Sequence, residues 1–143
     1  MKISRRKNPM VRQEFKHLKA DEKEIAQRFV DQGLLKGTYE YDVHLTSPDV
    51  HFPAHWTKED LKHWTALRDK RIDIVVHAPA AEWVIEVTPK VSKAAIGGCI
   101  TYREMYMRQF NPKYPVHLGI VVEVDDLAYH DTLKRFGITL WVV

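Results

Sequence analysis

The chain is poor in cysteine, in long apolar runs and in the signatures of nucleotide or acyl chemistry. Its 143 residues contain one cysteine, Cys99, which excludes a disulfide scaffold and a thiolate zinc site and makes a reducing compartment the simpler expectation. Apolar runs such as Val116 to Val124, interrupted by His117 and Glu123, fall far short of the ~20 residues that span a bilayer. No membrane partner is expected. The N-terminal residues lack an apolar signal core, so secretion by a signal peptide is not expected, and a cytoplasmic or virion location fits better. There is no G-x-S-x-G elbow and no glycine-rich phosphate loop. With 45% hydrophobic and 29% charged residues, the chain reads as one soluble globular domain.

The net charge of +3 conceals a division. Residues 1–19 carry Lys2, Arg5, Arg6, Lys7, Arg12, Lys16 and Lys19 against Glu14 alone, and the remainder is mildly acidic. A basic N-terminal arm over 1–19 ahead of a body over 20–143 could hold DNA or an acidic protein surface by charge, or remain a solvated tail.

Apolar spacing predicts a helix over 20–32, with Asp21 as its cap and Gly33 as its stop. Alternation of Tyr39, Tyr41, Val43 and Leu45 predicts a strand over 38–45, ended by a turn at Ser47-Pro48-Asp49. An irregular insertion over about 47–70 follows, with a short helix opened by Thr57. Residues 71–78 and 82–88 read as a buried hairpin around Pro79-Ala80-Ala81. Ser92 caps a long helix to Phe110, followed by a strand over 116–124, a helix over 127–136 and a last strand over 138–143. This order predicts an α/β fold with a central mixed sheet flanked by helices. Gly97-Gly98 inside the long helix costs about 1 kcal/mol per glycine against alanine, which predicts a close approach there, of helix to sheet ahead of DNA.

Two acids interrupt apolar strands, Asp73 in RIDIVVHA and Glu86 in EWVIEVT. A buried carboxylate needs a cation, a hydrogen-bond donor or a metal. On neighbouring strands the two could share Mg2+ or Mn2+, or each could face solvent or pair with Arg71 or Lys90. His44, His51, His55 and His63 crowd the insertion. However, Pro53 keeps His51 and His55 off one helical face and no cysteine lies nearby, so zinc is not expected. Trp56 and Trp64 would fold the insertion onto the body or form a binding surface.

These pieces resemble the PD-(D/E)XK nuclease superfamily, RecB-like branch. The matching features are an acid on the first helix (Glu22 or Glu24), the Asp73 strand, Glu86-Val87-Thr88 thirteen residues later, and the long helix from Ser92. The resemblance implies a restriction-endonuclease-like core in which Asp73 and Glu86 bind the metal and Glu22 assists. It also implies a lysine two residues after the second acid, where this chain has Thr88; Lys90 or Lys93 would have to substitute. The Q-x-x-x-Y element of that branch reads here Gly98-Cys99-Ile100-Thr101-Tyr102, with the tyrosine kept and the glutamine lost.

Two functions follow. One is a nuclease-fold protein with a degenerate site, serving as a DNA-associated structural or adaptor component such as a phage head-completion or neck protein. The other is a Mg2+-dependent deoxyribonuclease using Asp73, Glu86 and a migrated Lys90. In either, Arg5, Arg6, Lys7, Arg12, Lys93, Tyr102 and Arg103 would contact nucleic acid or a partner, within a homo-oligomer or a hetero-complex.

Overall fold

A computed structural model of the chain describes residues 15, 17–46, 52–68 and 70–143. Arg5, Arg6, Lys7, Arg12 and the Ser47-Pro48-Asp49 turn lie outside the described residues. The elements in chain order are α1 (Ala20–Gln32), β1 (Thr38–Leu45), α2 (Lys58–Arg68), β2 (Lys70–Ala78), β3 (Ala81–Val87), α3 (Lys93–Phe110), β4 (Val116–Val122), a 3-10 turn (Leu127–Tyr129), α4 (His130–Arg135) and β5 (Ile138–Val142). They form an α/β fold around one five-stranded mixed sheet.

The strands stand in the sheet in sequence order. β1, β2 and β3 form an antiparallel meander, whereas β3, β4 and β5 run parallel. Parallel neighbours need crossovers, and two crossovers of one hand stepping in one direction put both helices on the same face. Accordingly α3 and α4 cover one face, where Val84, Cys99, Leu118, Ile120 and Leu133 form a buried cluster. α1 covers the other, where Ile25, Phe29, Ile74, Ile85 and Val121 pack together.

Local chemistry sets the ends. Ser92 accepts from Ala95 N–H at the start of α3, and Asn111 ends that helix in the left-handed region, both common caps. Thr57 and Asp60 form a reciprocal capping box at α2. The sequence expectation for α1 is corrected: the cap position is Lys19, whose N–H donates to Glu22, while Asp21 lies inside the first turn. The helix expected over 127–136 divides into a 3-10 turn and α4.

Two further expectations change. Phe15 and Leu18, which charge alone assigns to the arm, are buried against α1 and the sheet, so the folded body begins no later than Phe15. The glycine pair does not mark a close approach. A Cβ at Gly97 would meet open space, and one at Gly98 would come no nearer than 3.9 Å to anything, that atom being Glu86 Oε2.

The strands at the centre of the meander carry the feature that positions the site. Between the pairs Tyr41↔Ile74 and Val43↔Ile72, Asp42 falls opposite Asp73 at a break in the ladder, with φ of 57°. The pleat changes face there. Tyr39, Tyr41, Ile74 and Val76 pack on the α1 side, whereas Val43, Leu45 and Ile72 pack on the α3 side. The single-faced alternation expected from Tyr39 to Leu45 is thereby split in two. Aspartate visits the left-handed region more readily than most residues.

Phe15→Ala tests the revised boundary. Loss of a fully buried ring should lower stability by about 3–5 kcal/mol, measured by urea denaturation; a residue on a solvated arm would give no change.

Candidate functional site: an acidic row across three strands

One position beyond the pair Ile74↔Ile85, Asp73 falls opposite Glu86. Asp42, Asp73 and Glu86 therefore stand in a row across β1, β2 and β3. The β2–β3 ladder stops at this level. Val87 N–H donates to Asp73 Oδ2 at 2.8 Å, so a side chain takes the donor that the ladder leaves unpaired.

The row is closed by a residue that sequence reasoning missed. His17 lies between the first two acids, with Nδ1 2.7 Å from Asp42 Oδ1 and Nε2 2.7 Å from Asp73 Oδ1. Nε2 is hydrogen-bonded to Asp73, whereas Nδ1 meets Asp42 as a close ion-pair contact, and both carboxylates favour the protonated ring. The hydrogen bond to Asp73 raises the His17 pKa most; burial and Arg71 oppose it, and the charges of both aspartates add to the rise. Arg71 pairs with Asp42 rather than with Asp73, at 3.1 Å.

Glu86 has no such partner. Its Oε1 is shielded from solvent and makes no hydrogen bond among the described residues. Burial pushes its pKa well up, and the charges of Asp73 and Glu22 push in the same direction. Glu86 therefore keeps its proton at pH values where a surface glutamate has ionised.

Tyr102 is near enough that Glu86 and Asp73 raise its pKa after burial does, and Cys99, donating to Gly119 O at 3.4 Å, is raised by burial and then by Glu86. Glu22 acts on Glu86 from α1 while accepting from Lys19 N–H. Thr88 Oγ1 donates to Lys90 O. Lys90 itself leans away, its Nζ 3.6 Å from Asp126. Lys93 is exposed at the start of α3, and Arg103 pairs with Glu104 at 3.7 Å.

The donor set fits Mg2+ or Mn2+ poorly as it stands. Such an ion takes about six oxygen ligands. Glu86 offers a free oxygen, but Asp73 has an imidazolium on one oxygen and an N–H on the other. A positive ring 2.7 Å from the shared carboxylate repels a second cation. Among the described residues no three of His, Cys, Asp and Glu are grouped to hold a metal ion.

The signal for Asp42 was present, since TYEYDVHL contains an acid in a β-rich run just as RIDIVVHA does. His17 gave none, because it sits among lysines in a segment with no periodic pattern. Comparison with family models, curated proteins and solved structures finds no match to this chain. No helix among the described residues is long and apolar enough to cross a membrane.

The site makes stability depend on pH. Unfolded Glu86 ionises near pH ~4.3, whereas the folded chain holds its proton higher, so the folded state binds more protons in that window and stability falls as pH rises. The raised His17 adds stability that is complete below ~6.5 and lost as pH climbs through its folded value. Chemical denaturation above pH ~4.3 should show stability falling as pH rises, with a slope of at most about 1.4 kcal/mol per unit from Glu86, absent in Glu86→Gln. His17→Gln should lose the alkaline part of the dependence and leave that slope in place.

Proposed function

We propose that this protein is a nuclease-like α/β protein that does not cleave phosphodiesters and serves as a DNA-associated structural or adaptor component of a larger assembly, of the kind that completes a phage head or neck. The observation that carries this reading is the charge around the acidic row. Phosphoryl transfer develops negative charge on the reacting phosphate, which needs a preorganised cation. Where the superfamily that the sequence resembles has its lysine, this chain has Thr88. Lys90 is turned to Asp126, and among the described residues the cation at Asp73 is His17, held between two carboxylates. A row whose Asp73 is engaged on both oxygens and whose nearby lysine is turned away lacks the free positive charge that the attack of water on phosphate uses.

The antiparallel meander, the crossover helix and the acids on β2 and β3 support a PD-(D/E)XK-like core. Association with DNA rests on the basic segment, Arg5, Arg6, Lys7 and Arg12 in particular. It binds through phosphates, without base readout, and this predicts strong salt dependence.

The cleavage test uses purified full-length protein with plasmid and linear DNA in Mg2+ or Mn2+. No cutting is expected; metal-dependent cutting that disappears in both Asp73→Ala and Glu86→Ala would instead establish an enzyme. DNA association is read by fluorescence anisotropy over a salt series. Replacing Arg5, Arg6, Lys7 and Arg12 together by alanine should flatten the slope of log K against log salt by up to about 4, and an unchanged slope would assign the arm to a protein partner.

A further inference from the structure

At the opposite end of β2 and β3 from the acidic row lies a cleft of about 220 Å³. Its polar wall is a second histidine bridge: His77 is bonded through Nε2 to Glu40 and lies with Nδ1 3.3 Å from Glu82 Oε1, while Tyr106 donates its hydroxyl to the same Glu82 oxygen. Its apolar wall is Phe110, about half exposed, stacked beside Tyr106 with ring centroids 4.8 Å apart, together with Val43 and Pro112.

We propose that this cleft is a docking site for an arginine side chain carried by a partner protein. Four features of the cleft agree on a cation. Glu40 and Glu82 leave it net negative whether His77 is neutral or protonated. The face of an exposed phenyl ring attracts a guanidinium. The C-terminal end of an 18-residue helix, α3, reaches the cleft at Phe110 and carries the negative pole of the helix dipole. Glu40 stays more than half exposed, so its second oxygen is accessible to an incoming donor.

Size and shape select the occupant. Sites for drug-sized ligands occupy ~300–1,000 Å³, so this cleft holds one side chain rather than a cofactor. A flat ring wall beside a carboxylate suits the planar guanidinium, which stacks and donates in the same plane, better than the compact ammonium of lysine. Met107 and Tyr114, both nearly half exposed, border the aromatic wall in sequence and provide an apolar margin of the kind that protein contacts bury. The site is independent of the acidic row, so it stands whether or not that row cleaves DNA.

The test titrates the 15N-labelled full chain with N-acetyl-arginine methylamide, with the lysine and citrulline counterparts run alongside. Saturable shifts confined to residues around His77, Tyr106 and Phe110 are expected for the arginine probe, with citrulline weaker by about tenfold because its donors are uncharged. Glu40→Gln and Phe110→Ala, both at exposed side chains, should each weaken the arginine probe several-fold while the spectrum elsewhere stays that of the folded chain. Equal binding of citrulline would reduce the cleft to an apolar slot and overturn the proposal. Equal binding of lysine would overturn the assignment to arginine, and absence of saturable shifts in the cleft would overturn the site itself.

Discussion

The hydrogen bonds of Asp73 are the constraint on which the rest depends. One oxygen takes the N–H that the β2–β3 ladder leaves free, and the other takes the imidazolium of His17. Through the first, strands β2 and β3 can part at the level of the acidic row without leaving a buried donor unpaired. Through the second, the segment before α1 is tied to the sheet, and the burial of Phe15 and Leu18 follows. The change of pleat at Asp42 belongs to the same arrangement, since it brings a second carboxylate to the other side of His17. Backbone strain at such a residue costs of the order of 1–3 kcal/mol, and the bonds to His17 and Arg71 offset it.

Two histidines perform the same structural task at the two ends of the meander. His17 joins acids of β1 and β2, and His77 joins acids of β1 and β3. Like-charged side chains held close together destabilise a sheet, and a histidine set between two of them, hydrogen-bonded to one and close to the other, reduces the repulsion. The two ends differ in what is left over. At the His77 end, Tyr106 donates to the Glu82 oxygen that His77 also approaches, and Glu40 reaches solvent. At the His17 end, Arg71 pairs with Asp42, and Glu86 Oε1 remains with no donor among the described residues.

Much of this fold was legible from periodicity. The elements in β2, β3 and α3 lie within a residue or two of the positions that apolar runs and caps predict, because each is buried and regular. Asp73 and Glu86 were legible as well, since an acid inside a β-branched run must be explained by something. The misses share one cause. The bridge by His17, the turn of the pleat at Asp42 and the burial of Phe15 all depend on contacts between segments distant in the chain, and no local pattern encodes them. The glycine pair misled for the converse reason: its local cost is real, yet the sheet beneath does not require it.

The leftover Glu86 bears on what the fold can do at that end. Among the described residues Asp42 and Asp73 stand against Arg71 and His17, and Glu86 and Glu22 are left over. Holding the proton on Glu86 lets the surplus stay buried, because a neutral carboxyl costs far less to desolvate than its anion. The acidic row acts on the sheet, by fixing where β1, β2 and β3 part and where the N-terminal segment is held.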